Sequence, residues 1–217
     1  SNAAQVQVEL GNGTPGCSRG APSLVLSPTR SDWNAAGSTV SYIATVRNRD
    51  SEACDPDDFD LNLSAPSGWT LSSGAASLTI TPQNSVSTTI QLTSLNETAP
   101  GSYELGATAN RKIASSQASV NSSDPARSYY FVLPGTGETV VALSTNRSVY
   151  HPGDHIDLYI DAAADGTTAA DTPYTLTLTR PDGAVLSKSG STDARGTATH
   201  SFDVSSCAQA EIGRAHV

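Results

Sequence analysis

From Thr39 onward the chain alternates. Val40, Tyr42, Ala44 and Val46 fall on one side of an extended backbone and the intervening residues on the other, the period-two pattern of a strand with one buried face. Phe59, Leu61 and Leu63 repeat it, with Asp60 and Asn62 on the wet side. Leu78 and Ile80, then Val86, Thr88, Ile90 and Leu92, then Tyr103, Leu105 and Ala107 predict three more strands, separated by Pro82-Gln83-Asn84 and Pro100-Gly101. With Leu24 and Leu26 ahead of them and Tyr130 and Val132 behind, the first half predicts about seven strands, the complement of an antiparallel sandwich.

Leu133-Pro134-Gly135-Thr136-Gly137 has no apolar period and is built from strand breakers, so the boundary between two domains is placed there. A second series of strands follows. It runs through Val140 to Leu143, then through Ile156, Leu158 and Ile160, then Tyr174, Leu176 and Leu178, then Val185 and Leu186, and ends in residues 197–204. Pro181-Asp182-Gly183 predicts a tight hairpin turn. No helical period runs longer than two turns. The fold class expected is all-β, two tandem antiparallel sandwiches over residues 4–134 and 138–210, a division that suits 217 residues at roughly 100 per sandwich.

Composition narrows the functions. Twelve Lys and Arg against 21 Asp and Glu give a net charge of −9 without a basic stripe, which argues against nucleic acid and anionic membrane as partners. No apolar run approaches the ~18 residues of a membrane span. A Ser/Thr-rich chain with no Met and few basic residues has the composition of secreted bacterial modules. Ser1-Asn2-Ala3 reads as the remnant of a cleaved expression tag, so a missing leader is uninformative.

Cys17 precedes the first strand and Cys54 sits in an acidic loop, positions that a sandwich brings together at one end. A bridge between them is the expectation, and two buried free thiols the alternative; a bridge would suit an oxidising compartment. Cys207 is left over, and an odd cysteine suggests a missing partner.

Residues 65–109 carry Ala65-Pro66-Ser67-Gly68-Trp69-Thr70, a strand to Ile80, and Ala99-Pro100-Gly101-Ser102-Tyr103. These pieces resemble the fibronectin-III-like accessory domain found beside bacterial α-galactosidases and other secreted hydrolases and peptidases, over most of residues 20–133. Ser148-Val149-Tyr150-His151-Pro152-Gly153-Asp154, Thr179-Arg180-Pro181-Asp182-Gly183 and Thr192-Asp193-Ala194-Arg195-Gly196-Thr197-Ala198 are similar to bacterial Ig-like and macroglobulin-like repeats. The resemblance implies stalks, spacers or docking modules of large exported proteins, with no catalytic residues and no cofactor. It also implies a further closing strand after 197–204. The last seven residues, 211–217, read like the translation of a sequencing adaptor whose next codon is a stop, so a truncated second sandwich is expected, with 197–217 pairing with another molecule, borrowing the tail, or disordered.

Candidate chemistry is sparse. His151, Asp154, His155 and Asp157 have ligand types that suit zinc, but on a strand His155 and Asp157 face away from Asp154, so turn and solvent-face roles are expected. Asp55, Asp57, Asp58 and Asp60 are weak calcium candidates without an EF-hand's spacing, and a solvated acidic loop is the preferred reading. His200 falls in the row Ala198, His200, Phe202, Val204 and reads as a hydrogen-bonded core or edge residue. No Gly-x-Ser-x-Gly elbow, phosphate loop, Cys-x-x-Cys pair or His-Glu-x-x-His helix is present. Asn12, Asn62, Asn96, Asn121 and Asn146 head Asn-x-Ser/Thr sequons. Trp69 reads as core, and Trp33, placed in a loop between Asp32 and Asn34, is a weak candidate for an exposed sugar platform.

The expected function is therefore a non-catalytic spacer and docking region of an exported peptidase or glycosidase, at the cell surface or outside the cell. Its partners would be the parent's catalytic domain, or a surface glycan or protein. A carbohydrate-binding module and an adhesin-type repeat are the alternatives; an enzyme ranks last, because no nucleophile, base and oxyanion donors come together.

Overall fold

The structure is a computed structural model that describes residues 16–112, 121–147, 149–151, 153–179 and 185–203. Its strands run in order β1 (Ser23–Ser27), β2 (Arg30–Asn34), β3 (Thr39–Arg47), β4 (Asp57–Ser64) and β5 (Thr70–Ser73). β6 (Ser77–Ile80), β7 (Ser85–Thr93), β8 (Gly101–Arg111), β9 (Ala126–Val132) and β10 (Thr139–Thr145) follow. The series closes with β11 (His155–Ala164), β12 (Thr167–Thr168), β13 (Pro173–Thr179), β14 (Val185–Ser191) and β15 (Thr197–Asp203).

β1 to β9 form two facing sheets, ordered β1-β3-β7-β5 and β2-β9-β8-β4-β6. The alternating residues supply the space between them. Tyr42, Ala44 and Val46 from β3, Phe59 from β4, Ile90 and Leu92 from β7 and Leu105 from β8 are all fully enclosed. Each such large side chain contributes about 1.5–3 kcal/mol through removal from water. Trp69 packs against Tyr103 and Tyr130 at the rim of this core, with ring centroids 5.0 and 4.9 Å apart.

Two strands escape the alternation. β5 is short and nearly all polar or small, and it forms because its backbone pairs with β7. β2, with the sequence RSDWN, runs parallel to β9 while every other long pairing is antiparallel. Trp33 therefore lies in a strand rather than the loop expected for it. It sits beside Phe131, half-buried, with ring centroids 5.0 Å apart.

β10, β11 and β15 form one antiparallel sheet, with the two-residue β12 also on β11, and β13 and β14 form a hairpin that faces it. Ile156, Leu158 and Ile160 meet Tyr174 and Leu176 between these layers. β15 pairs with β11 along Thr197 to Asp203, and among the described residues no other strand lies on its far side. Residues 204–217, including Cys207 and the adaptor-like tail, lie outside the described residues, as do residues 1–3, Asn12 and the Pro181-Asp182-Gly183 turn. The strands flanking that turn pair from Thr179 to Val185. No helix among the described residues is long and apolar enough to cross a membrane.

Candidate functional site

The inward row of β8 is Leu105, Ala107, Ala109 and then Arg111, so a guanidinium occupies a position that the alternation reserves for an apolar side chain. On β4 the inward row opposite begins at Asp57, ahead of Phe59 and Leu61. Arg111 and Asp57 thus meet at one end of the first sandwich, where Asp50 joins them. Arg111 donates from Nη1 and Nη2 to the two Asp50 oxygens at 3.0 Å each, from Nη2 to the Gly20 carbonyl at 3.2 Å, and pairs with Asp57. Its guanidinium carbon lies 5.1 Å from the Phe59 ring centroid. Arg19 bridges the same two carboxylates. Burial opposes ionisation of Asp50, but bonds from Arg111 and the Gly20 N–H and the charges of Arg111 and Arg19 outweigh it and hold the carboxyl below its ordinary range.

The disulfide closes the same corner. Cys17 and Cys54 are bridged, with an S–S distance of 2.03 Å, and the segment beside Cys17 is stitched to the loop before Cys54. Ser51 N donates to Ser18 O at 2.8 Å and Gly20 N to Asp50 Oδ1 at 2.8 Å. A Cβ on Gly20 would stand 2.6 Å from the Arg49 carbonyl oxygen, so only glycine allows this approach.

This corner corrects the reading of the acidic loop. Asp57 is a buried ion-pair partner, not a solvated side chain, and Asp58 accepts from Thr79 Oγ1 at 2.5 Å. Asp55 also has an interaction of its own, and Asp60 lies within β4. Among the described residues no three His, Cys, Asp or Glu side chains gather closely enough to hold a metal ion.

The histidines are likewise dispersed. His151 N donates to Asp154 at 2.8 Å in a turn, and Asp154 also pairs with Arg147. His155 faces Asp203 on the next strand at 2.5 Å, while Asp157 accepts from Ser201 Oγ at 2.6 Å and from Asn146 at 3.1 Å. His200 Nε2 hydrogen-bonds the Tyr174 hydroxyl at 2.8 Å, and burial, with the Lys188 charge nearby, pushes its pKa down.

A second built feature joins the two sandwiches. On β11, Ile156, Leu158 and Ile160 face their own core, so Tyr159, Asp161 and Ala163 face the other way. Arg30 of β2 reaches that face. Its Nη1 donates to both Asp161 oxygens at 3.0 and 2.8 Å, and its guanidinium lies 4.2 Å from the Tyr159 ring centroid. Ala142 and Ser144 on β10 are buried on the same side, and β10 packs against β8. Burial raises the Asp161 carboxyl above its ordinary value even though Arg30 pulls it down.

Beside this junction opens a cleft of about 370 Å³ between β1, the start of β9 and the loop after β10. Arg49, Arg127, Arg147 and His151 border it, together with Asp124. Sequence reasoning missed Arg30, Arg111, Asp50 and these arginines. Arg111 alone left a signal, a charge in phase with an apolar row.

No curated protein matches the chain. Among solved structures, the D0-D1 domain of intimin is 13% identical with a TM-score of 0.47, over 84% of this chain and 84% of that one. An Escherichia coli alpha-2-macroglobulin activated by porcine elastase is 18% identical, TM-score 0.41, over 74% of this chain and 13% of its own. A family 123 glycoside hydrolase from Clostridium perfringens is 11% identical, TM-score 0.38, over 52% of this chain and 27% of its own. The first sandwich carries the family likeness expected of it: residues 35–111 match the NPCBM-associated, NEW3 domain of alpha-galactosidase.

Proposed function

We propose that this chain is a non-catalytic accessory, spacer and docking region of an exported bacterial protein, and that the parent is a secreted glycoside hydrolase or peptidase. The observation that carries the reading is the match of residues 35–111 to a domain associated with alpha-galactosidase. Two further features support it. The Cys17 to Cys54 bridge suits an oxidising compartment and an extracellular location. The titratable side chains are spent on folding: the most buried ones pair with one another at the corner of the first sandwich or across the junction. An arginine ion pair across that junction suits a spacer, because it ties one sandwich to the next.

Recovery of the complete reading frame tests the parent. A catalytic domain of a glycoside hydrolase or peptidase in the same frame is the expected result, and a frame made of sandwiches alone overturns it. Turnover of peptide, ester or glycoside substrates by the purified chain, abolished by His155→Ala or His200→Ala, would overturn the non-catalytic role.

A further inference from the structure

β1 is the outer strand of its sheet. It pairs with β3 from Ser23 opposite Arg47 to Ser27 opposite Ile43, and no second strand adjoins it among the described residues. Residues 21–26 border the 370 Å³ cleft without interruption. Four of these residues, Ser23 to Leu26, belong to β1, and because side chains alternate between the two faces of a strand, successive residues reach one cavity through the strand's edge. The cleft is therefore walled on one side by the outer backbone edge of β1, the edge that β3 does not pair. Val25, 60% exposed, stands on this strand, and Val149, 37% exposed, stands on the opposite wall.

Charge selects the occupant. Three of the chain's 12 basic residues, Arg49, Arg127 and Arg147, border this cleft with His151, against one carboxylate, Asp124, in a chain of net charge −9. Arg127 is held by Glu104 at 3.2 Å and Arg147 by Asp154 at 3.3 Å, and both arginines are about half exposed. Exposed pairs of this kind are weak, and an incoming carboxylate can replace either partner. Arg49 has no ion-pair partner among the described residues. An open strand edge takes an extended peptide, which supplies the missing ladder bonds and presents alternate side chains to the walls.

We propose that the cleft between the sandwiches captures an extended acidic segment of a protein partner, which adds as a strand to β1 with its carboxylates on Arg49, Arg127 and Arg147. This deepens the docking role and rests on it. Its failure is distinguishable, because parentage and the absence of turnover are read from other experiments.

The test uses the whole chain and a fluorescent hexapeptide of alternating Glu and Val, with a Lys/Val peptide as control. The expected result is saturable binding of the acidic peptide only. Arg147→Glu combined with Arg49→Glu should weaken it at least 10-fold, and bound peptide should slow amide exchange at residues 23–26. Circular dichroism of the variant confirms that it is folded; should it unfold, raising salt from 50 to 500 mM must weaken binding to the native chain by a similar factor. Absence of binding at 1 mM peptide, equal binding of the Lys/Val peptide, or binding without protection of residues 23–26 overturns the proposal. So does self-association that protects the edge in place of peptide, or an acidic oligosaccharide that competes at the same arginines without protecting the backbone.

Discussion

Replacing Arg111 with Met tests whether the corner of the first sandwich is an ionic keystone. The side chain is fully enclosed, so its loss strands Asp50, also fully enclosed, with only Arg19 and the Gly20 N–H to answer its charge. Breaking a buried pair by removing one partner costs about 3–5 kcal/mol. Loss of the contact with Phe59, 5.1 Å from the guanidinium, adds about 1 kcal/mol, and the methionine's own apolar burial returns a similar amount. A net destabilisation of about 3–5 kcal/mol is expected. In urea, at a slope of about 2 kcal/mol per molar, that lowers the midpoint of the first sandwich by about 1.5–2.5 M. The double variant Asp50→Asn with Arg111→Met removes both charges and should be at least about 1 kcal/mol more stable than Arg111→Met alone. The assay is urea unfolding followed by the fluorescence of Trp69, which packs on the same core. A single variant that costs under about 1 kcal/mol, or a double variant whose cost is the sum of the two singles, would refute the keystone argument.

The same carboxylates set a pH profile. Asp50 is held below its unfolded value, so its contribution is present above about pH 4 and is lost as pH falls through the lower folded value; Asp161 is raised, so its ionisation weighs against the folded form as pH rises through its folded value. Asp161→Asn should therefore abolish the loss of stability that the native chain shows as pH rises through the raised Asp161 value, with the acid unfolding of the first sandwich unmoved. Reducing the bridge between Cys17 and Cys54, which spans 37 residues, should cost about 4 kcal/mol on the chain-entropy model, read as a lower melting temperature in dithiothreitol. Arg30→Ala should leave each sandwich folded but loosen their relative orientation, visible as distinct rotational correlation times for residues 23–132 and 139–203 by NMR relaxation; one shared correlation time would refute the role of the Arg30 and Asp161 clamp.

Alternation along β3, β4, β7 and β8 was legible because it is a local property: one face is wet, one is dry, and the period of two appears in the residues themselves. The bridge between Cys17 and Cys54 was legible for a related reason, since their places in the strand order leave both at one end of the sandwich. The strand containing Trp33 was not, because β2 is defined by its parallel partner β9, far away in the chain, and carries no apolar period. Buried charge is decided by the same long-range register. Asp57 looks like its acidic neighbours in sequence, and only the pairing of Phe59 with Arg111 places a guanidinium beside it. The junction is further still from local reach. Tyr159 and Asp161 read as the wet face of a strand, and they are covered because the first sandwich supplies Arg30 from more than a hundred residues away. A chain records which of its strand faces avoid water; which polar residues another part of the molecule then covers depends on packing that no single segment encodes.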